Sequence, residues 1–199
     1  MIVLGIDPGT ATTGYGVVAR AGDGAVSLLE CGIVRTEPAT PLASRLRAIF
    51  EGVVEVLERT RPDVVAVESA FYAKNARTAL VLGHARGAIL LAATLRDLPV
   101  AEYAPAEVKS AVAGTGRATK EQVQFMVKQL LRLKDVPRPA DAADAVAVAL
   151  THCFAAALPT VAPPRLPRLP RSARAPVAPA TPGAPGAPGF APAARGLAG

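Results

Sequence analysis

The sequence predicts an α/β fold in which helices flank a mixed five-stranded sheet. Three short apolar runs, at residues 2–6, 15–19 and 26–34, are joined by turns rich in Gly, Thr and Asp, which is typical of an antiparallel meander. Two later runs, at 63–68 and 100–103, alternate with stretches of helical periodicity. A meander that continues into β-α-β units with right-handed crossovers leaves few topologies, and it can place the first and fourth strands side by side and parallel.

Five helices are expected between and after these strands. Residues 42–60 carry an apolar stripe at helical spacing, and the helix that they predict ends before Pro62. The run at 63–68 is apolar until its final acid, as in a strand buried on both faces. The other four helices are predicted at about 74–97, from Pro105, from an N-cap at Thr119 to about 134, and from Pro139 to about 157.

The chain divides into a folded domain and a tail. Residues 159–199 contain 11 Pro in 41 residues, with Ala, Gly and Arg but no acid. Such a composition has too little apolar bulk to offset the entropy of ordering, so a disordered tail is expected. The folded domain is therefore expected at 1–158.

Composition excludes several classes of protein. The chain has 199 residues, two Cys and 51% hydrophobic residues, which argues against a disulfide-stapled miniprotein and against disorder throughout. There is no apolar run of membrane-spanning length and no leader-like start, so we expect no membrane association and a reducing, cytoplasmic location.

Charge is segregated along the chain. Residues 74–138 carry 11 basic and 5 acidic side chains, whereas residues 1–73 carry 6 basic and 9 acidic ones. This segregation suggests a polyanionic partner held beside a carboxylate site, although ordinary solvated helix faces explain the charge pattern equally well.

Four acids stand where a merely solubilising acid is not expected. Asp7 and Glu68 each end an apolar run, and the carboxyl ends of neighbouring parallel strands are where α/β sheets place their sites. Asp141 and Asp144 share one face of an otherwise uncharged, apolar helix. Taken singly, Asp7 could form a turn and Glu68 could be a solvated strand end. Asp141 could be an acid of the first helical turn, stabilised by the helix dipole. Together, four carboxylates without His or Cys predict a site for two Mg²⁺ or Mn²⁺ ions that would hydrolyse a phosphodiester.

The order of motifs resembles the RuvC family of bacterial Holliday junction resolvases, in the ribonuclease H-like superfamily. The matching segments are GIDPGTATTGYGVV, VAVESAFYAKNARTALVLGHARG, VKSAVAGTGRATKEQVQFMV and PADAADAVAVALTHC, which span nearly all of 1–158. The resemblance implies that Asp7, Glu68, Asp141 and Asp144 are the metal-binding catalytic acids. It also implies a four-way DNA junction as substrate, a homodimer, and action with the RuvA and RuvB branch-migration proteins.

Candidate DNA-binding residues follow Glu68. Phe71 and Tyr72 precede Lys74, Asn75 and Arg77, and aromatic plus basic side chains beside a metal site suit stacking on an unpaired base and contact with its phosphates. Packing of one of the two rings against the core is an equally good interpretation. The resemblance implies that Phe71 inserts at the junction crossover and that Lys109 and Lys120 face the scissile phosphate and the DNA.

The second helix contains a stripe of small residues. Gly83 and Gly87 lie one turn apart, and alanines follow at 85, 88, 92 and 93, so another helix could approach closely. The homodimer implied by the resemblance would form through this region. Leu80, Leu82 and Leu91 are instead expected to pack on the protein's own sheet.

Two other functions compete with a junction endonuclease. The Asp-Pro-Gly-Thr segment also resembles the first phosphate loop of actin-like kinases and Hsp70-type ATPases, but those proteins need a second lobe and a second such loop. A non-catalytic junction-binding protein is the third possibility, and the retention of all four acids argues against it.

Overall fold

The five strands form one sheet with the order β3-β2-β1-β4-β5 in the computed structural model, which describes residues 1–69 and 76–156. The β1–β2 and β2–β3 pairs are antiparallel, whereas β1–β4 and β4–β5 are parallel. The predicted mixed sheet is thereby confirmed. The strands are β1 (Ile2–Asp7), β2 (Thr12–Arg20), β3 (Val26–Arg35), β4 (Val64–Glu68) and β5 (Val100–Tyr103).

Within the described residues, five helices cover the two faces of this sheet. They are α1 (Leu42–Thr60), α2 (Ala76–Thr94), α3 (Pro105–Ala113), α4 (Lys120–Leu130) and α5 (Ala140–Ala155). Residues of α1 and α2 pack on the face that bears Leu4, Ile6 and Val67. Residues of α3, α4 and α5 pack on the face that bears Val3 and Ala66. The described part of the chain thus has two separate apolar cores, one on each side of the sheet.

Helix α5 lies directly on the backbone of β1 and β2. A Cβ atom added at Gly16 would lie 2.8 Å from the Cα of Val146, and one at Gly14 would overlap the carbonyl oxygen of Asp141. Gly5 meets the backbone of α5 in the same way. Only glycine permits so close an approach of helix and strand, so these positions set the height of α5 above the sheet.

Helix α4 begins as predicted and ends earlier than predicted. Thr119 is the N-cap, and its hydroxyl accepts a hydrogen bond from the backbone N–H of Gln122, whose side chain accepts one in return. The helix ends at Leu130 because Arg132 adopts a left-handed φ of 52° and the N–H of Leu133 donates to the carbonyl of Lys128.

The predicted tail, 159–199, and the predicted domain boundary at 158 lie outside the described residues. Among the described helices, none has the length and apolar character that crossing a membrane requires.

Candidate active site

Strand alternation directs Asp7 and Glu68 toward α5. On β1, Val3 and Gly5 face α5 while Leu4 and Ile6 face the opposite core, so Asp7 continues the α5 side. The last parallel pair between the strands is Ile6 with Val67, which leaves Asp7 and Glu68 side by side at the strand ends.

The first turns of α5 bring two more carboxylates to this edge. Carboxylate oxygens of Asp7, Asp141 and Asp144 all lie within 4.8 Å of one another. Glu68 joins the group through Asp7, whose carboxyl donates a hydrogen bond to it. The four acids are therefore one cluster, assembled from β1, β4 and α5.

Burial and crowding keep protons in this cluster. Burial raises the pKa of Asp7 to about 8, and the charges of Glu68, Asp144 and Asp141 act in the same direction. Burial likewise raises the pKa of Glu68, although the hydrogen bond from Asp7 and the charges of Lys109 and Lys120 oppose the rise. Among the described residues, Lys109 and Lys120 thus offset only part of the charge of this cluster, which is the condition that a bound metal ion relieves.

A cleft of about 250 Å³ opens beside the acids. Lys109 from α3 and Lys120 from α4 line it together with Glu68 and Asp144. The Nζ atom of Lys120 lies 2.5 Å from the Oδ2 atom of Asp144, and half of the lysine side chain is exposed. The cleft therefore places two cations next to two of the four acids, a suitable lining for an anionic backbone.

Polar contacts hold the loop that follows Asp7. The Thr13 hydroxyl donates to the carbonyl of Gly9 at 2.7 Å, and the hydroxyl of Thr36 donates to the carbonyl of Thr10. The Nε–H of Arg45, on α1, also donates to the Thr10 carbonyl, at 3.1 Å. The loop is fixed from β2, from the end of β3 and from α1, so the backbone beside Asp7 has little freedom.

The other predicted DNA-binding residues lie just beyond Glu68. Phe71, Tyr72, Lys74 and Asn75 fall outside the described residues. Arg77 is exposed in the first turn of α2. His152, which the sequence places on an apolar helix, packs against Tyr103, with 2.8 Å between its Nδ1 atom and the tyrosine oxygen.

The outward face of α2 differs from the prediction. Leu80 is 65% exposed and Leu91 is 52% exposed, so the expectation that they pack on the protein's own sheet was wrong. Ala85, Ala92 and Ala93 take the inward positions, so these alanines face the core rather than a partner. Because α2 is apolar nearly all round, its sequence does not distinguish the two faces. The outward stripe comprises Leu80, Gly83, Gly87 and Leu91, with Leu95 just beyond the helix end.

Sequence reasoning missed the groups that position the acids. Glycines at alternate positions of β2, Gly14 and Gly16, were a visible signal for close approach of another element. Arg45 gave no such signal, because one arginine on an amphipathic helix looks like any solvated residue.

Comparison with known proteins assigns the family. Residues 3–152 match the family model described as crossover junction endodeoxyribonuclease RuvC. The crossover junction endodeoxyribonuclease RuvC of Pelotomaculum thermopropionicum is 55% identical over 152 residues, which are 76% of this chain and 92% of that protein. The solved structure of Thermus thermophilus RuvC is 46% identical with a TM-score of 0.73, over 79% of this chain and 96% of that one.

A second solved structure holds T. thermophilus RuvC in complex with Holliday junction substrate. It is 44% identical with a TM-score of 0.72 and covers 79% of this chain and 96% of that one. These matches leave the actin-like kinase or ATPase interpretation without support. The chain belongs to the RuvC family of crossover junction endodeoxyribonucleases.

Proposed function

We propose that this protein resolves four-way DNA junctions by cutting two opposing strands symmetrically, at a site built from Asp7, Glu68, Asp141 and Asp144. The observation that carries the proposal is the convergence of these acids from β1, β4 and α5 beside a cleft lined by Lys109 and Lys120. Family membership gives the reaction class, a metal-dependent nuclease acting on DNA crossovers. Hydrolysis would leave 5′-phosphate and 3′-hydroxyl ends.

The acid cluster fits a pair of hard divalent cations, Mg²⁺ or Mn²⁺. Its donors are all oxygens, and those of Asp7, Asp141 and Asp144 lie close enough to share an ion. The raised pKa of Asp7, caused first by burial and then by its acidic neighbours, marks an excess of negative charge that a cation would balance. Two such ions, held by these acids, would supply an activated water and would neutralise the charge of the leaving 3′ oxygen.

The chain's own residues then divide the remaining work. Asp7, Asp141 and Asp144 would hold the ions, and Glu68 would complete the set from β4. Lys109 and Lys120 line the approach and would neutralise the backbone phosphates next to the cut. The loop after Asp7, tied by Thr36 and Arg45, keeps the first acid from drifting during the reaction.

A homodimer is part of the proposal. The outward stripe of α2 exposes Leu80 and Leu91 with the two glycines between them, and an added Cβ at either glycine would meet no atom within 4 Å. Two copies packed through this stripe would present two sites related by a two-fold axis, which matches the need to cut two strands of like polarity. We place the enzyme in the cytoplasm, acting with branch-migration proteins of the RuvA and RuvB type.

Replacement of each acid tests the catalytic site. Asp7→Asn, Glu68→Gln, Asp141→Asn and Asp144→Asn should each abolish cutting of a synthetic four-way junction in Mg²⁺ or Mn²⁺. Binding of the junction should persist, because none of the four substitutions removes a basic side chain. A variant that cuts at nearly the wild-type rate would remove that acid from the site. Binding without cutting by the wild-type protein, at every metal concentration, would favour the alternative of a non-catalytic junction-binding protein.

The role of Phe71 is tested by comparing junction and duplex DNA. If the ring stacks on a base opened at the crossover, Phe71→Ala should lose about 1 to 3 kcal/mol of junction binding and little duplex binding. A ring packed in the core would instead lower the melting temperature and weaken both complexes together, because truncating a buried Phe costs about 3 to 5 kcal/mol. Tyr72→Ala, measured in the same way, gives the comparison for the adjacent aromatic residue.

A further inference from the structure

The ion pair between Lys120 and Asp144 lies inside the proposed metal site. Lys120 Nζ lies 2.5 Å from one carboxylate oxygen of Asp144. The same carboxylate belongs to the cluster whose oxygens approach within 4.8 Å of one another. A divalent ion held by Asp144 would therefore stand within a few ångströms of the ammonium, where like charges repel strongly. The lysine and a metal ion would therefore compete for the negative charge of one carboxylate.

Lys120 is free to leave that position without disturbing the core. Its side chain is 50% exposed, whereas that of Asp144 is 23% exposed. Lys120 is also the first residue of α4, so its flexible stem is anchored at a helix end beside the cleft. Movement of the ammonium toward the cleft would expose a metal ligand and deliver a positive charge to the path of the DNA.

We propose that Lys120 is an exchangeable counter-ion, which neutralises Asp144 in the metal-free protein and transfers to a DNA phosphate when the metal binds. The inference rests on the proposed function, because it requires both a metal and a phosphate backbone at this cleft. Its consequence is a positive coupling of the two ligands. Metal binding releases a phosphate-binding charge, and DNA that takes up the lysine releases a metal ligand. Such coupling is reciprocal by thermodynamic necessity.

Lys109 provides a matched control within the same cleft. It lines the cleft with Lys120, yet within the described ranges, 1–69 and 76–156, the ion pair to Asp144 is made by Lys120. Removing either lysine deletes one positive charge near the acids. Only the removal of Lys120 should also vacate a carboxylate oxygen.

The first experiment measures Mn²⁺ binding without DNA, by calorimetry and by the electron paramagnetic resonance signal of free Mn²⁺. Lys120→Met should bind Mn²⁺ about five-fold more tightly than wild type, a factor equivalent to about 1 kcal/mol and near the upper end for a partly exposed ion pair. Lys109→Met should change the affinity less than two-fold. Lys120→Arg, which keeps the charge, should remain close to wild type.

The second experiment measures junction binding in EDTA, where no cutting occurs. Asp144→Asn frees Lys120 for the DNA, so the slope of log K against log salt should steepen by about one. Asp141→Asn removes the same charge one helical turn away without freeing a lysine, so its slope should stay at the wild-type value. In a Lys120→Met background, Asp144→Asn should no longer steepen the slope.

The outcomes separate this inference from the function on which it rests. Equal Mn²⁺ affinities in wild type, Lys120→Met and Lys109→Met would overturn the counter-ion exchange while leaving the metal site in place. Equal salt slopes in Asp144→Asn and Asp141→Asn would do the same. A wild-type protein that binds no Mn²⁺, or that shows no preference for junctions, would overturn the proposed function as well.

Discussion

The backbone carbonyl of Asp141 rests against Gly14 so closely that a single methyl group on Gly14 would overlap it. Gly14 is paired with Asp7 across the β1–β2 ladder. Gly14, the strand residue opposite Asp7, thus fixes the position of Asp141. The distance between Asp7 and Asp141 is therefore set by backbone packing rather than by the side chains around it.

Gly14→Ala should accordingly damage the site more than the fold. Overpacking of this kind costs about 1 to 3 kcal/mol of stability, and displacement of a catalytic group by about 1 Å can cost about a hundred-fold in rate. We expect Mn²⁺ affinity and junction cutting to fall sharply, while the melting temperature falls by a few degrees. Gly22→Ala is the control, because a Cβ there meets no atom within 4 Å. Unchanged cutting by Gly14→Ala would show that α5 can shift without consequence.

Replacement of Lys109 should change the salt dependence of DNA binding. A lysine that neutralises one phosphate contributes about 0.9 to the slope of log K against log salt. Lys109→Ala should therefore give a shallower slope by about one unit in junction binding. Arg47→Ala, whose side chain is exposed and paired with Glu51 on α1, should leave the slope unchanged. The same slope in wild type and Lys109→Ala would place this lysine off the DNA path.

Leu91→Glu should break the proposed dimer. The substitution puts a carboxylate in the outward stripe of α2, and in a two-fold interface each protomer would bury one such carboxylate. This should raise the dimer dissociation constant about ten-fold or more. Analytical ultracentrifugation would measure this change, and cutting should shift from paired cuts to single nicks. Phe125→Glu is the control, since Phe125 is 56% exposed on α4, on the other side of the sheet. A dimer that survives Leu91→Glu at micromolar concentration would exclude this stripe as the interface.

The burial of His152 should make the stability of the protein depend on pH below neutrality. Burial lowers the pKa of His152, so the unfolded chain takes up a proton before the folded protein does as pH falls. The stability that the neutral imidazole contributes is fully present above the unfolded-state pKa of about 6.5 and declines below it. Wild type should thus lose more melting temperature between pH 7.5 and 5.5 than His152→Gln does. His84→Gln, at an exposed position of α2, is the control and should lose as much melting temperature as wild type. Equal losses in wild type and His152→Gln would show that His152 does not cause the pH dependence.

Deletion of residues 159–199 should leave folding and metal-dependent cutting intact. That segment contributes five arginines and no acid, so its loss should reduce weak, non-specific DNA binding at low salt. Melting curves and junction cutting at physiological salt compare the two chains. A markedly lower melting temperature, or lost junction selectivity, would mean that the domain extends past residue 158.

The strands and the acids could be predicted because each has a local signal. Glu68 ends an apolar run, and Asp141 and Asp144 interrupt a helix that is otherwise uncharged. The outward face of α2 had no such signal, because the exposed Leu80 and the buried Ile89 look equally suited to a core in the sequence. The Lys120–Asp144 pair could not be predicted either, since it depends on where two distant helices meet and on one flexible side chain. Local patterns therefore identified the acids that cluster, whereas the ion pair beside them depends on tertiary packing.

The close packing of α5 on the strand backbone determines which substitutions this protein tolerates. Side chains in the two cores, such as Ile49 or Val127, can exchange for others of similar volume at modest cost. None of those exchanges touches Gly5, Gly14 and Gly16, where the lack of a side chain lets the main chain of α5 lie against the strands. Libraries of core variants should then lose thermal stability gradually while the surviving proteins keep their rate of cutting, and changes at the three glycines should abolish activity in proteins that still fold.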